Sequence, residues 1–369
     1  MRSRPLLSAA IIVRDEADFL RECLTSIRDV CDEIVVVDTG SVDDSREVAR
    51  SFDAVLGEFP WNDSFADARN VSLEMATGEW ILYIDADEQL VDLDIAAARA
   101  ELEARTDAIA LRTLFYSRPH YSPYREFRVW RHRDDIRFFG RIHEAVVPDI
   151  LRVSHEQSLV IDISASLSIC HYGYEGDQTH KHLRNLPLLE RRVVEFPNRC
   201  YLWHHLGSVR IALGDEVGAL DAWMTGLALI RQRGIDDMSD SLLYSSVAKY
   251  HLERGDDISD LLDEMRTVVP WFLMVDWYEG IALQRLGRHE EAIDRYQYLI
   301  AKGPNVESTY IAYDNRIFTD LAWSAIGVSL YELGRFDGSL QAYRTAAAHQ
   351  PENLEYRTKV IALQAITGL

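Results

Sequence analysis

The sequence predicts two folds in one chain: an α/β domain built on a mostly parallel, doubly wound sheet, followed by an all-α domain of helical repeats. Three observations predict this. Short apolar, β-rich runs alternate with helical patterns over roughly the first ninety residues, three of these runs end abruptly in acid-containing segments, and from about Cys200 onward glycines, alanines and aromatics recur at matched spacings. Strand–helix alternation implies parallel pairing with crossover helices, and self-similarity at a fixed period implies a helical array.

The elements follow in order. Leu7 to Val13 is a buried-strand run, and Ala17 to Val30 carries Phe19, Leu20, Cys23, Leu24 and Ile27 at helical spacing. Glu33 to Asp38 contains four consecutive β-branched residues and predicts a second strand. Thr39-Gly40-Ser41 turns the chain, and Asp43-Asp44-Ser45 can cap a helix running to about Phe52. A short Ala54-Val55-Leu56 strand, a polar loop around Pro60 to Asp63, a helix over Ala66 to Ala76 and the strand Trp80 to Ile84 complete the alternation. Sheets of this type bind ligands beyond the carboxyl ends of their strands. Polar segments stand directly after three apolar runs: Arg14-Asp15-Glu16, Asp38-Thr39-Gly40-Ser41 and Asp85-Ala86-Asp87. One acid at a strand end is commonplace; three at successive strand ends point to a site. We place the α/β domain at residues 1–190, with 175–190 as a linking helix, and the helical domain at 191–369.

In the helical part, Gly207, Gly280 and Gly327 are each followed seven residues on by Gly214, Gly287 and Gly334. Five further stand Ala219, Ala292 and Ser339, and four beyond those Trp223, Tyr296 and Tyr343. Pro304 and Pro351 close two units at one offset, and Trp203 to Gly207 reads W-x-x-L-G. Ser241 to Pro270 is a degenerate unit, with Ala248 and Gly255 in register and Asp260 where a small residue is expected; an insertion falls around Asn305 to Arg316. These units resemble the tetratricopeptide repeat, whose small residues let paired helices approach closely. The plain alternative is a generic all-α tail. The functional reading is a concave surface for a peptide, a protein or another copy of the chain.

Composition bounds the rest. With 369 residues, 47% hydrophobic and 27% charged, the chain can bury a sizeable core. A net charge of −21 argues against a nucleic-acid partner. The one basic stretch, from Arg112 through Arg118, Arg125, Arg128, Arg131, Arg133 and Arg137 to Arg141, could hold a small anion, although a solvated basic face is the more ordinary reading. The N-terminal apolar run stops at Arg14-Asp15-Glu16 and reads as a strand rather than a signal peptide, and no run is long enough to span a membrane. Cys23, Cys31, Cys170 and Cys200 form no CxxC pair, which fits a reducing cytoplasm.

The D-x-D of Asp85 and Asp87 has a definite logic. Neighbouring side chains on a strand point to opposite faces, so Asp85 and Asp87 are expected to point the same way, and two carboxylates can serve a hard divalent cation that in turn takes diphosphate oxygens. Alone the pattern is weak; Asp92-Leu93-Asp94 repeats it, and those acids receive no role. Its context is specific. Ala10 to Glu16, Val36 to Asp44, Ala66-Asp67-Ala68-Arg69-Asn70 and Ala76 to Trp80 leading into Asp85 to Glu88 together resemble family 2 glycosyltransferases of the GT-A fold. The resemblance covers residues 6–90 and, less closely, 125–190.

The resemblance implies the following roles. Asp15 or Glu16 would lie at the nucleotide pocket. Asp38 would accept a hydrogen bond from the base, most often uracil, in a pocket lined by Gly40 and Ser41. Asp67 and Arg69 would sit near the ribose and donor sugar, Asp85 would contact one or the other, and Asp87 would bind the metal, Mn²⁺ or Mg²⁺. For Arg69 the plain reading, an ion pair to one of these acids, is compatible with that role.

Two later clusters resemble the members of this family that carry tetratricopeptide tails: Phe127 to Arg131 leading to Gly140-Arg141-Ile142-His143-Glu144, and His171 to Tyr174 followed by Lys181 to Leu186. An inverting transfer needs a base for the acceptor and stabilisation of the departing diphosphate. Glu144 is the candidate base, with His143 second. His171 could complete the metal site beside Asp87, and Lys181 and Arg184 could clamp the diphosphate. The plain readings are a loop-orienting role for His143 and a solvated helix face for Lys181, His182 and Arg184. Trp61 to Phe65, Phe115, Tyr116, Tyr121 and Tyr124 could stack on a sugar or base, but core packing accounts for most such aromatics.

The leading expectation is therefore a metal-dependent, inverting transferase that moves a sugar from a nucleotide-sugar, most simply a UDP-sugar, to an acceptor. Enzymes of similar architecture include peptide S-glycosyltransferases and cell-envelope sugar transferases, so the acceptor would be a peptide, a protein or an envelope saccharide. One alternative is a tetratricopeptide interaction protein on a catalytically silent GT-A scaffold. The other is a nucleotidyltransferase, against which stands the lack of a glycine-rich phosphate loop near the first strand.

Overall fold

The computed structural model describes residues 4–173, 178–304, 306 and 311–368. Tyr174 of the second downstream cluster, and Asn305 with 307–310 of the expected insertion, lie outside the described residues. The chain divides into two compact units. One comprises residues 1–119 and 123–192, the other His120–Ser122 with Val193–Leu369.

The first unit contains an eight-stranded sheet. Its strands are β1 (Leu7–Val13), β2 (Glu33–Asp38), β3 (Val55–Glu58), β4 (Trp80–Tyr83), β5 (Glu88–Val91), β6 (Ala108–Tyr116), β7 (Tyr124–Arg131) and β8 (Val160–His171), in the spatial order β3-β2-β1-β4-β7-β6-β8-β5. The helices are α1 (Ala17–Ile27), α2 (Ser45–Ser51), α3 (Phe65–Met75), α4 (Ile95–Ala104), α5 (Val147–Gln157) and α6 (Thr179–Glu195), the last of which crosses the division between units. The β3-β2-β1-β4 half is parallel throughout. Beyond it the pairing is mixed: β7 runs antiparallel to β4 and β6, β6 is parallel to β8, and β5 is antiparallel to β8. The expectation of a mostly parallel sheet thus describes the β3-β2-β1-β4 half better than the whole.

Why the first half is parallel is visible in the side chains. Leu7, Ala9, Ile11 and Val13 of β1 enter one apolar cluster with α1, while Ala10 enters the cluster on the other face with Ala66 and Leu73 of α3. Val36 and Val35 of β2, and Leu82 and Ile81 of β4, divide in the same way. Strands covered on both faces have no polar side to offer solvent, so they read as unbroken apolar runs. Of the expected capping segment Asp43-Asp44-Ser45, Asp43 supplies the bond at the start of α2: it accepts from the Ser45 amide (3.0 Å) and also from the Ala17 amide (2.9 Å), joining the ends of β1 and β2.

The basic stretch does not form one anion site. Arg128 is buried against Glu88, Arg131 lies over the Trp80 ring, and Arg133 pairs with Asp135.

The second unit consists of helix pairs: α7 (Cys200–Ala212) with α8 (Glu216–Arg233), α9 (Ser241–Arg254) with α10 (Ser259–Val268), α11 (Met274–Arg285) with α12 (His289–Lys302), and α13 (Asp320–Glu332) with α14 (Phe336–His349). A final helix, α15 (Leu354–Thr367), packs on α14 through Tyr356 and Leu363. The glycine–aromatic register has a direct cause. A Cβ at Gly207, Gly280 or Gly327 would stand 2.2, 2.6 or 2.8 Å from the ring of Trp223, Tyr296 or Tyr343. Each ring packs against the bare backbone of the preceding helix. The turns within pairs place Gly214, Gly255, Gly287 and Gly334 at φ between 72 and 84°, where a side chain is strained. In the degenerate unit Glu264 takes the aromatic's place and accepts a hydrogen bond from Tyr244 (2.7 Å). His120–Ser122 joins this unit by backbone bonds, including Ser122 N–H to the Tyr313 carbonyl (2.8 Å).

Candidate active site

A cleft of about 250 Å³ opens at the carboxyl ends of β1 and β4, bordered by residues that precede and begin α6. Of the residues singled out in the sequence, Glu16, Arg69, Asp85, Asp87, His171, Lys181 and Arg184 line it, together with Arg14, Thr39, Trp61, Phe65, Gly173 and Gln178.

Asp85-Ala86-Asp87 does not continue the strand. β4 ends at Tyr83 and the motif forms a turn into β5, closed by the Glu88 amide on the Asp85 carbonyl (3.0 Å). The two carboxylates share the cleft through turn geometry rather than strand alternation, and they face different partners.

Asp87 is the more buried of the two, its side chain 11% exposed against 28% for Asp85. His171, across the β5–β8 pair, brings Nε2 to 3.1 Å of Asp87 Oδ2, and Lys181 of α6 brings Nζ to 3.2 Å of the same oxygen. Lys181 Nζ also reaches Glu16 Oε1 (2.9 Å). Burial works to raise the Asp87 pKa, but bonds from His171 and the charge of Lys181 outweigh it and hold the carboxylate ionised, well below the usual range. In turn His171 is raised: burial disfavours its charge, and Asp87 more than compensates. Glu16 is raised by burial and by Asp87, against the pull of Lys181. Gly173 permits this packing, since a Cβ there would lie 1.9 Å from Asp87 Oδ2.

Asp85 belongs to a tighter network. Arg69, 7% exposed in its side chain, places Nη1 2.8 Å from Asp85 Oδ1, out of line for a hydrogen bond, and donates through Nε to Glu144. The Arg69 guanidinium also stacks on the Tyr83 ring at 4.4 Å. Glu88 accepts the Asp85 amide (2.8 Å) and is held by both arms of Arg128 (2.9 and 2.8 Å). Burial, helped by Asp85 and opposed by Arg128, pushes the Glu88 carboxyl up to about 7. Arg128 itself is fixed by Glu126 (2.7 Å) and stacks on Tyr83 and Phe115.

The remaining predicted residues stand outside the lining. Asp38 is 1% exposed; its carboxylate accepts from the Gly40 and Ser41 amides (3.0 and 3.1 Å) and from Arg46 (2.9 Å). Burial raises its pKa, but these bonds prevail and lower it. Asp15, at φ 53°, bonds the Val42 amide (2.7 Å), and its own amide donates to Ser41 Oγ (3.0 Å), so Asp15 and Ser41 brace two strand ends. Asp67 is exposed in the first turn of α3 and accepts from Asn62 (2.8 Å). Glu144 lies behind Arg69 with its side chain 8% exposed, and His143 precedes it at φ 50°. Arg184, by contrast, lines the cleft; it stacks its guanidinium 5.1 Å from the Phe65 ring, and burial lowers its pKa.

Sequence reasoning assigned no role to Arg14, Gln178, Gly173, Glu88 or Arg128. For Arg128 a signal existed: a charged residue inside the apolar strand Phe127-Arg128-Val129-Trp130 requires a buried partner.

Residues 8–150 match the model described as "Glycosyl transferase family 2". The first unit carries a family 2 glycosyltransferase domain. A TPR repeat-containing protein of Synechococcus elongatus is 35% identical over 59% of this chain and 55% of its own length. The SPbeta prophage-derived glycosyltransferase SunS of Bacillus subtilis is 29% identical over 50% of this chain and 44% of its own. The chain thus spans about half the length of these curated relatives. Among solved structures, S. aureus TarS 1-349 is 13% identical over 76% of this chain and 92% of that one, with a TM-score of 0.37, a likeness too remote to bear on chemistry. Among the described residues no helix is long and apolar enough to cross a membrane.

Proposed function

We propose that this chain transfers a sugar from a nucleotide-sugar, most simply a UDP-sugar, to an acceptor, with inversion at the anomeric carbon. The observation that carries this reading is the convergence on one strand-end cleft of Asp87 with His171 and Lys181, and of Asp85 with Arg69, which Glu144 holds from behind the lining. Asp87 and His171 would hold a divalent cation. A carboxylate beside a neutral imidazole suits Mn²⁺, whereas Mg²⁺ would use the carboxylate alone, and since no group of three or more His, Cys, Asp or Glu ligands occurs among the described residues, donor phosphate and water would complete the shell. When bound, the ion supplies charge neutralisation for the diphosphate.

The chain's own groups supply the rest. Arg14, Lys181 and Arg184 border the cleft and would neutralise phosphate oxygens as the bond from the anomeric carbon to the diphosphate breaks. Arg69 orients Asp85 toward the ribose or donor sugar. Glu144 would take the proton of the acceptor group as that group bonds the anomeric carbon from the opposite face, with His143 the second candidate. The nucleobase would sit near Thr39, beside the turn that Asp38 holds through Gly40 and Ser41. Asp15 and Asp67 act on the loops around that pocket. The acceptor would be a peptide, a protein or an envelope saccharide, and the helical unit would be the surface that presents it or joins copies of the chain.

Purified protein incubated with UDP-sugars, Mn²⁺ and candidate acceptors tests the proposal. Release of UDP with a glycosylated product is expected. If no nucleotide binds and no donor is consumed, even slowly by water, the reading fails.

A further inference from the structure

The ammonium of Lys181 lies where a second positive charge is hardest to accommodate. It bridges two carboxylates from different strand ends, 2.9 Å from Glu16 Oε1 and 3.2 Å from Asp87 Oδ2. The same Asp87 oxygen already carries His171 Nε2 at 3.1 Å, and Gly173 closes on it so tightly that a methyl group there would collide with it. Lys181 is 30% exposed in its side chain, so it is partly desolvated yet on a stem that can move. Arg184, on the next turn of α6, also lines the cleft.

We propose that Lys181 is an exchangeable internal cation: it occupies the Asp87–Glu16 pair in the free chain, disfavours a divalent ion there, and is drawn onto the diphosphate when the nucleotide arrives. This deepens the functional reading above and rests on it. The reasoning is electrostatic. A dication bound through either oxygen of Asp87 would come within a few ångströms of the ammonium, and like charges at that range, in a partly buried cleft, repel by far more than in bulk water. A nucleoside diphosphate reverses the balance. Its phosphate oxygens offer Lys181 a new partner beside Arg184, which frees the Asp87 oxygen for the ion. Metal and nucleotide therefore enter cooperatively, each strengthening the other by the same factor. Lys181 is a positioning residue in the free state and a phosphate ligand in the loaded one.

The test is direct metal binding, measured on the full chain by Mn²⁺ EPR or calorimetry with and without UDP, for wild type, Lys181→Met and Lys181→Arg. Without UDP, Lys181→Met is expected to bind Mn²⁺ at least about tenfold more tightly than wild type. Lys181→Arg keeps the charge and should resemble wild type. With UDP present the order reverses: Lys181→Met should bind Mn²⁺–UDP more weakly than wild type. Equal Mn²⁺ affinity of folded Lys181→Met and wild type without UDP, while both bind Mn²⁺–UDP, overturns the exchange and leaves the transferase reading intact. Failure of wild type and both variants to bind Mn²⁺–UDP overturns both. A thermal melt of each variant establishes folding, and Lys181→Gln serves as a second neutral substitution if the methionine variant is unstable.

Discussion

The two units of the chain use burial in opposite ways. In the sheet unit the costly groups are charges: Arg69 with Asp85 and Glu144, and Arg128 with Glu88, lie buried and paired at one end of the strands. In the helical unit the repeated device is close approach, a tryptophan or tyrosine ring laid on a glycine backbone in three of the four helix pairs. Buried ion pairs are weak contributors to stability, because desolvation offsets much of their attraction. Ring-on-glycine contacts act through packing and stabilise directly. The difference teaches where selection for chemistry and selection for shape have acted. Changes in the sheet unit's charges should alter function more than folding, and changes at the helical glycines the reverse.

The largest expected effect is Asp87→Ala. It removes the carboxylate shared by His171 and Lys181, and donor turnover should fall by about 10³-fold or more. The melting temperature should change little, because Lys181, 30% exposed in its side chain, keeps Glu16 as a partner. Activity assays and a thermal melt on one preparation check this; unchanged metal-dependent UDP binding would remove Asp87 from the site. Arg69→Met comes next and blurs the contrast deliberately. It strands Asp85 and Glu144 without their shared cation, so stability should drop by about 3–5 kcal/mol along with activity. Urea denaturation gives the first quantity. A loss well under 1 kcal/mol would mean that the network relaxes toward solvent.

Much of this contrast was legible in the sequence, for a physical reason. Buried parallel strands must be apolar throughout, so the point where Ile12-Val13 gives way to Arg14, or Ile84 to Asp85, marks the cleft. The seven-residue glycine spacing gave the helical register because only glycine admits a ring at that distance. Partner choice was not legible. That Glu144 meets Arg69, 75 residues away, or that Lys181 chooses Glu16 and Asp87, depends on how loops and a helix return to the sheet. The antiparallel second half escaped as well, because β6, β7 and β8 mix buried with partly exposed positions and carry register shifts, so their sequences lack the fully apolar runs of the first half. Likewise the D-x-D turn reads as a strand only because Trp80 to Ile84 is apolar up to its edge.

Gly280→Ala tests the other side of the comparison. Its methyl group would meet the Tyr296 ring at 2.6 Å, so the α11–α12 pair must spread or the ring must move. A loss of about 1–3 kcal/mol is expected, read as a lower urea midpoint, with UDP binding retained. If nucleotide binding fell in proportion, packing and chemistry would not be separable by unit. The double variant Gly280→Ala/Tyr296→Phe should recover little, since the ring itself collides and not only its hydroxyl, which donates to Gln284 (2.9 Å).

The smallest effect concerns a histidine of the helical unit whose titration bears on stability near neutral pH. His204 Nδ1 is shielded from water and unpartnered, and burial, with His205 adding to it, lowers the His204 pKa to about 3. The folded pKa thus lies below the unfolded value near 6.5. Above pH 6.5 the ring is neutral in both states and contributes no pH dependence. Below it the unfolded chain takes up a proton that the folded chain refuses, so stability falls as pH drops from about 6.5 toward 3. Between pH 7 and pH 5 the change is at most about 2 kcal/mol, and the partial exposure of the residue as a whole reduces it to about 1 kcal/mol. Replacing the ring by His204→Gln should flatten this part of the profile, measured as the difference in urea midpoint between the two pH values for variant and wild type. An unchanged difference would show that the imidazole finds water or a proton acceptor in solution. In that case His204 would drop out of the pH profile, and the contrast with the charged cleft of the sheet unit would rest on the glycine–ring contacts.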